Sequence, residues 1–203
     1  MARSAESLPV EATDFDQCVY FHDVSWPQFE SMLALRGDHG NVRFTYLEGE
    51  LELMSPSSYH ELTKKKLARL IEAFAEERGI ALEGFGSWTI KSQQRKRGVE
   101  PDECYVVGPV RDDVERPHFA IEVVHTSGGV SKLSVYQGLE VPEVWFFRQG
   151  RLELRRLEPS GYVATTRSAF LPNLDPALIA RCMQAENQTE AVRQLKAAMR
   201  EPA

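Results

Sequence analysis

Apolar residues recur with a helical period between positions 58 and 79 of this sequence. The residues that follow the i, i+3, i+4, i+7 pattern are Leu67, Leu70, Ile71 and Phe74. Ser58 and Glu61 have the S-x-x-E spacing of a capping box at the start of this segment, and Gly79 stands just past its end. The pattern therefore predicts a long amphipathic helix.

Ahead of that helix, the sequence predicts a short helix and a hairpin. Ser25 is a suitable N-cap and Pro27 falls in the first turn, so a helix is expected from there. Residues 42–53 alternate between apolar and polar on both sides of a Glu-Gly turn, which is the pattern of a β-hairpin. Residues 1 to about 20 mix small, acidic and proline residues without a period, and a loose N-terminal arm is expected.

After the long helix, short strand patterns alternate with one further helix. Residues 103–108 (ECYVVG) and 119–124 (FAIEVV) predict two strands, with shorter strands ahead of them. Residues 131–140 favour a short helix, and residues 141–147 (VPEVWFF) predict another buried strand. The tail predicts a hairpin and then two helices from about residue 176 to residue 199. The expected fold class is α/β, with an α-β-β-β-α-β order at its centre.

Length and composition limit the number of domains. At 203 residues with 42% apolar content, the chain is able to close one hydrophobic core, whereas two full domains would both be small. We expect a single domain over residues 21–203, with its core at about 58–148 and a C-terminal extension over 149–203.

Charge and cysteine content narrow the functional classes. A formal net charge of −6 provides no overall basic field for nucleic acid, so a polyanionic substrate would have to be met by a local patch. Cys18, Cys104 and Cys182 are widely spaced and form no CxxC pair, which favours a reducing compartment over a disulfide framework or structural zinc. The sequence contains no apolar leader and no stretch of about 18 apolar residues. A soluble, cytoplasmic protein with no membrane partner is expected.

Two acidic residues interrupt the predicted strands. Glu122 lies inside the apolar strand 119–124, where an unpaired carboxylate is costly and therefore requires a cation, a proton or hydrogen-bond donors. From the strand alone, an arginine partner or an exposed edge position explains it equally well. Asp102, in a Pro-Asp pair, opens the preceding strand. Acids on neighbouring strands converge when they share one end of a sheet, and hard divalent ions such as Mg²⁺ bind such oxygen clusters.

Taken together, these motifs resemble those of the Uma-type restriction endonuclease family, within the PD-(D/E)XK nuclease superfamily. The resemblance covers roughly residues 25–180. Besides the α-β-β-β-α-β order, it rests on Ser57 or Ser58 with His60, Pro101-Asp102, Glu122-Val123, Lys132 with Tyr136, the segment 141–145 (VPEVW) and the segment 170–178 (FLPNLDPAL).

The resemblance implies a restriction-endonuclease-like core, with a mixed central sheet flanked by helices. It also implies an enzyme that hydrolyses phosphodiester bonds in DNA with the help of a divalent metal ion. Asp102, Glu122 and the carbonyl of Val123 would bind Mg²⁺ or Mn²⁺. The strict motif has a lysine two residues after the glutamate, but Val124 stands there, and Lys132 of the following helix is expected to take that role.

His60 and Tyr136 are accessory candidates on the same grounds. His60 falls on the apolar stripe of the long helix, so a hydrogen-bonded packing histidine is the alternative. Two departures from the family pattern keep a second function open. Residues 123–131 (VVHTSGGVS) form a short link to the lysine, and Gly128 stands where the family often has an aspartate. The alternative is a catalytically degenerate module, on the same fold, that binds nucleic acid or protein.

Two basic clusters are the candidates for local phosphate contacts, through Lys64, Lys65, Arg95, Lys96 and Arg97. An ordinary solvated face explains them equally well.

A homodimer is expected, because enzymes that cut both strands commonly relate two active centres by a two-fold axis. The contact would use apolar positions on the C-terminal helices, namely Ala180, Met183, Ala191, Leu195 and Met199. Packing of these helices on their own sheet is the alternative.

Overall fold

The computed structural model describes residues 15–37, 41–110, 112–125 and 129–200. Within these residues the strands are β1 (Gln17–Phe21), β2 (Arg43–Leu47), β3 (Glu50–Ser55), β4 (Leu82–Gly84), β5 (Ile90–Ser92), β6 (Arg97–Val99), β7 (Glu103–Val107), β8 (Phe119–Val124), β9 (Glu143–Arg148), β10 (Arg151–Glu158) and β11 (Gly161–Thr165). The helices are α1 (Trp26–Arg36), α2 (Ser58–Arg78), α3 (Lys132–Gly138), α4 (Pro176–Cys182) and α5 (Gln188–Arg200). The predicted α/β class is confirmed.

The strands form two sheets that face each other across α3. The first sheet has the order β1-β3-β2-β6-β5, and the second has the order β11-β10-β9-β8-β7-β4. Helix α1 covers the outer face of the first sheet, where Phe29 packs with Tyr46. Helices α2, α4 and α5 cover the outer face of the second sheet. Helix α3 lies between the sheets and buries Val135 and Tyr136 among residues of both.

The second sheet contains the predicted core. Helix α2 is followed by β4, β7, β8, α3 and β9, which is the α-β-β-β-α-β order. The β5–β6 hairpin interrupts this order along the chain but joins the first sheet. Strands β8 and β9 are parallel and connected through α3, whereas β7–β8 and β9–β10 are antiparallel. The sheet is therefore mixed, and the predicted restriction-endonuclease-like core is confirmed.

Strand β8 divides its side chains between two cores. Phe119 and Ile121 pack on the side of α2, whereas Ala120 packs on the side of α3. Because successive side chains of a strand point to opposite faces, Glu122 shares the face of Ala120. This alternation directs the carboxylate of Glu122 into the space between the two sheets.

The N-terminal arm is shorter than the sequence predicts. Gln17–Phe21 form β1, which pairs antiparallel with β3 and sets Tyr20 opposite Glu52. The prediction of a loose arm through residue 20 is therefore wrong for these residues, because backbone hydrogen bonds to β3 hold them in the sheet. Residues 1–14 lie outside the described residues.

Helix α2 begins one residue earlier than the predicted capping box. Ser57 is the N-cap, and its Oγ accepts a hydrogen bond from the backbone N–H of His60 at 3.1 Å. The prediction that Glu61 closes a box with Ser58 is wrong, because the carboxylate of Glu61 binds Arg43 at 2.7 Å and Lys64 at 2.5 Å instead. The α2 start is thus tied to β2.

The C-terminal helices pack on their own sheet. Ala191 and Leu195 are fully buried beside α2, and Met183 is almost fully buried in the same cluster. The packing alternative is therefore the one observed, and these helices leave no uncovered apolar face that would require a second copy. Among the described helices, none combines the length and the apolar character needed to cross a membrane. All three cysteines are free thiols.

Candidate active site

Asp102 and Glu122 lie opposite each other where β7 begins and β8 ends. The antiparallel register pairs Glu103 with Ile121, so the next step of the ladder sets Asp102 opposite Glu122. Both side chains are fully buried. The backbone N–H of Val123 donates to Oδ2 of Asp102 at 2.7 Å, which ties the two strand ends together. The structure thus brings together the two acids that the sequence singles out.

Two cationic groups neutralise Asp102. Arg43 donates from Nη1 to Oδ1 at 2.8 Å, and Nε2 of His60 lies 3.0 Å from the same oxygen. Burial raises the pKa of the Asp102 carboxyl, but His60, Lys132 and Arg43 outweigh burial and hold this pKa well below the ordinary value of 3.8. Asp102 is therefore ionised at any pH at which the protein would be used.

His60 is held between two carboxylates. Its Nδ1 lies 2.9 Å from Oδ2 of Asp16. Its Nε2 forms an ion pair with Asp102, but the two groups are not aligned for a hydrogen bond. Burial lowers the pKa of His60, but the carboxylates of Asp102 and Asp16 outweigh burial and raise this pKa to about 9. His60 is buried, as the packing alternative requires, and it is also an imidazolium in contact with a candidate metal ligand.

Glu122 is matched by two side chains of α3. Lys132 donates from Nζ to Oε2 at 2.6 Å, and the hydroxyl of Tyr136 donates to Oε1. Lys132 and Tyr136 are four residues apart and so share one helix face. Burial raises the pKa of Glu122, and Lys132 opposes that effect. Burial lowers the pKa of Lys132, but Glu122 and Asp102 outweigh burial and raise it, so the lysine is protonated beside Glu122.

Glu52 holds the turn that carries Lys132. The backbone N–H of Val130 donates to Oε2 of Glu52 at 3.1 Å. Gly129 has φ +93°, and a Cβ there would lie 2.1 Å from the same oxygen, so only glycine fits beneath the carboxylate. Ser131 then caps α3 by accepting from the N–H of Ser134. Residues 126–128, which include Gly128, lie outside the described residues.

Two substitutions of Glu52 distinguish the contribution of its hydrogen bond from that of its charge. Glu52→Gln keeps an oxygen acceptor for the N–H of Val130, so kcat for the nucleic-acid cleavage that the sequence predicts is expected to stay within about threefold of wild type. Glu52→Ala removes the acceptor and lets Lys132 shift, and kcat is expected to fall about 10- to 100-fold with little change in KM. Steady-state kinetics on a fluorescent oligonucleotide measure both constants. Equal losses in the two variants would contradict a positioning role.

A cavity of about 250 Å³ opens beside Lys132, between the two sheets. Asp16 and Glu52 line it on the side of the first sheet, and His125 and Arg148 line it on the side of the second. Asp102 and Glu122 are not among its lining residues. Lys132 is therefore the member of the predicted catalytic set that meets the cavity directly.

The basic clusters of the sequence lie elsewhere. Three of their five residues are ion-paired within the chain, with Lys64 bound to Glu61 at 2.5 Å, Arg95 to Glu140 at 2.5 Å and Arg97 to Glu48 at 3.1 Å. Lys65 and Lys96 have no ion-pair partner in the part of the chain that the structure describes. None of the five lines the cavity beside Lys132. Paired or solvated positions describe these clusters better than a ready phosphate site.

The donor chemistry of the site fits a small, hard divalent ion. Oδ2 of Asp102 and the two carboxylate oxygens of Glu122 each accept one hydrogen bond and so retain a lone pair, and Val123 supplies a neighbouring carbonyl. The described residues contain no group of three or more His, Cys, Asp or Glu side chains arranged to hold a metal. Mg²⁺ commonly takes one or two carboxylates and completes its shell with water and substrate phosphate, so the two acids are sufficient in kind and number.

Comparison with known proteins gives one family match. The family model Uma2, described as "Putative restriction endonuclease", matches residues 26–184. Among solved structures, the chain is similar to a putative nuclease belonging to DUF820 from Anabaena variabilis, with a TM-score of 0.47 and 13% sequence identity over 75% of this chain and 90% of that one. No curated protein matches the chain.

Proposed function

This chain belongs to the Uma2 family, described as putative restriction endonucleases, and on that premise we propose that it is a divalent-metal-dependent endonuclease that hydrolyses phosphodiester bonds in DNA. One observation carries the proposal. Asp102 and Glu122 converge from adjacent strands, and Lys132 reaches Glu122 at 2.6 Å although it comes from a helix rather than from the strand. These three residues form the proposed catalytic core.

In this proposal, different residues bind the metal ion, neutralise charge and orient the metal ligands. Asp102, Glu122 and the Val123 carbonyl would hold Mg²⁺ or Mn²⁺, which when bound supplies a Lewis acid and lowers the pKa of water. Lys132 presents an ammonium group that neutralises the negative charge developing on the phosphate oxygens. Tyr136 fixes the orientation of Glu122 through its hydroxyl.

Arg43 and His60 fix Asp102 in the same way, since both contact Oδ1 and leave Oδ2 with a single backbone donor. Neither group would touch the substrate in this arrangement. They are positioning residues, and their charges offset the cost of burying the carboxylate.

Plasmid cleavage is the direct test. The wild-type protein is expected to nick or linearise plasmid DNA with Mg²⁺ or Mn²⁺ and to lose this activity in excess EDTA. Asp102→Ala is expected to be inactive, because it removes a metal ligand, while the exposed-residue control Asp112→Ala keeps full activity. Agarose gels with each metal measure the outcome. Cleavage by Asp102→Ala at the wild-type rate, or no cleavage by wild type with any divalent ion, would contradict the proposal.

The second candidate function is a degenerate module that binds nucleic acid or protein without cleaving it. It is favoured by the complete burial of Asp102 and Glu122 and by the internal cations that already neutralise them. Calorimetric titration with Mn²⁺, in the absence and presence of DNA, separates the two candidates. Metal binding that Asp102→Ala abolishes supports the enzyme, and the absence of metal binding under both conditions supports the module.

A homodimer is part of the leading proposal, because two centres related by a two-fold axis would reach both strands of a duplex. The described C-terminal helices do not supply its interface, since their apolar residues are covered within the chain. The argument for a dimer is therefore the expected cleavage of both strands of a duplex.

A further inference from the structure

Arg148 ends β9 on the face of the second sheet that carries Glu122. The parallel register pairs Glu122 with Phe146 and Val124 with Arg148. Since strand residues two apart share a face, Arg148 extends into the space between the sheets. It lines the same cavity of about 250 Å³ as Lys132. The sequence gives Arg148 no special status, because it simply follows the apolar strand.

The guanidinium of Arg148 is oriented without using its hydrogen-bond donors. Its Cζ lies 5.0 Å from the ring centroid of Phe146, so the planar group is held against an aromatic side chain. Its Nε lies 3.9 Å from Oε2 of Glu153, an oxygen that Arg155 holds more closely at 3.2 Å. Nε is buried and has no hydrogen-bond partner. The terminal nitrogens make no hydrogen bond to any residue that the structure describes. The side chain is 41% exposed and Nε is buried, so the terminal nitrogens are the donors that face the cavity.

Other arginines near the site are already committed to carboxylates. Arg43 binds Asp102 at 2.8 Å, and Arg36 binds Glu100 at 2.5 Å. Lys132 is likewise matched to Glu122. Arg148 is thus the cation on the cavity wall whose donors have no matching acceptor, while Asp16 and Glu52 repel an anion from the opposite wall. An anion that enters the cavity would settle on the side of Arg148.

We propose that Arg148 binds a phosphate of the substrate strand beside the phosphate at which Lys132 acts. An arginine suits this role because its planar fork donates two parallel hydrogen bonds to a phosphate. The inference deepens the proposed function and rests on it. Arg148, rather than the basic clusters that lie away from the cavity, is then the local contact that a protein of net charge −6 needs for a polyanion.

Fluorescence anisotropy with a short fluorescein-labelled DNA duplex of mixed sequence tests this inference. Titrations are made in EDTA, where the proposed hydrolysis does not proceed, over a series of salt concentrations. Arg148→Gln is expected to weaken binding about tenfold and to reduce the slope of log affinity against log salt by about one. Arg148→Lys keeps the charge but not the fork, so it is expected to restore the slope and only part of the affinity. Arg193→Gln, on the exposed surface of α5, is the matched control and is expected to bind like wild type.

Cleavage kinetics and folding controls complete the test. Circular dichroism checks that each variant is folded, and Arg148→Gln is expected to raise KM with a smaller effect on kcat. If wild type binds and cleaves DNA while Arg148→Gln matches it in affinity and salt slope, this inference is overturned and the proposed function stands. A loss of kcat with unchanged affinity and slope would also overturn it. If wild type neither binds the duplex nor cleaves plasmid with any divalent ion, the proposed function fails and the inference fails with it.

Discussion

Lys132→Met is expected to lower the rate of the proposed metal-dependent cleavage by about 10²–10³-fold, the usual effect of removing one preorganised charge donor from a transition state. It is also expected to destabilise the fold by about 3–5 kcal/mol at neutral pH, because Glu122 would then be a buried carboxylate without its cation. The two effects are measured separately, by single-turnover cleavage and by chemical denaturation in EDTA.

The loss in the free energy of unfolding caused by Lys132→Met is expected to depend on pH. Burial raises the pKa of Glu122, and the variant removes the group that opposes this rise most strongly. A carboxyl whose pKa is higher in the folded state than in the unfolded state binds its proton more tightly when folded. The variant is therefore expected to lose less stability at about pH 5 than at about pH 8. Lys91→Met, which removes an exposed lysine paired with Glu30, is the control and should show neither effect.

A uniform stability loss across this pH range would show that Lys132 acts through packing rather than charge. Cleavage by Lys132→Met at the wild-type rate would remove Lys132 from the proposed catalytic core.

Local patterns predict most of the elements of this fold. The helical period predicts α2, the alternation around Glu48 predicts β2 and β3, and apolar runs predict β8 and β9. The failures are β1 and β6. Strand β6 (Arg97–Val99) begins within one of the two basic clusters, where the sequence predicts no strand. Strand β1 exists because it pairs with β3, and β6 exists because it pairs with β2. Such pairing depends on contacts distant in sequence, which no local pattern contains.

The acids of the site are predictable for a different reason. Glu122 interrupts an apolar strand, and Asp102 opens the strand before it, so each breaks a pattern. Lys132 required the family resemblance, since a lysine near the start of a helix is otherwise ordinary. Its contact with Glu122 follows from the turn that Glu52 holds.

Four charged residues of the site have no comparable signal, namely Asp16, Arg43, Glu52 and Arg148. Arg43 and Glu52 occupy polar positions of an alternating hairpin, which predicts that each lies on the face opposite the apolar one. It does not predict that this face turns toward Asp102, because that depends on how the two sheets pack. Asp16 lies in the segment where the sequence predicts a loose arm.

The buried charges make the site depend on both sheets. Asp102 belongs to the second sheet, but Arg43 reaches it from β2 of the first, and Asp16, just before β1, holds the far side of His60. Separation of the sheets would leave several buried charges without partners, which costs more than the loss of an exposed pair. The pH dependence of the free energy of unfolding should therefore show how strongly these charges hold the two sheets together.

Wild-type stability is expected to fall by about 3 kcal/mol between about pH 6 and about pH 10, because of His60. Its pKa is raised from 6.5 to about 9 in the folded protein. A group whose pKa is raised on folding stabilises fully below its unfolded pKa, and that stabilisation is lost as pH rises through the folded pKa. The groups facing His60 are Asp16, Asp102 and His125, and burial lowers the pKa of His125, so His125 does not replace the lost charge.

Urea denaturation in EDTA at a series of pH values measures this dependence. His60→Gln is expected to be less stable than wild type near pH 6 and to lose most of the pH dependence, because glutamine has no proton to release in this range. His22→Gln is the matched control, since His22 also contacts a carboxylate, Glu50, but is exposed, and it should retain the wild-type dependence. A wild-type stability that is flat from about pH 6 to about pH 10 would mean that His60 is neutral in the folded protein. Among the described residues, Arg43 would then be the only cation in direct contact with Asp102, and His60 would not help to neutralise this carboxylate.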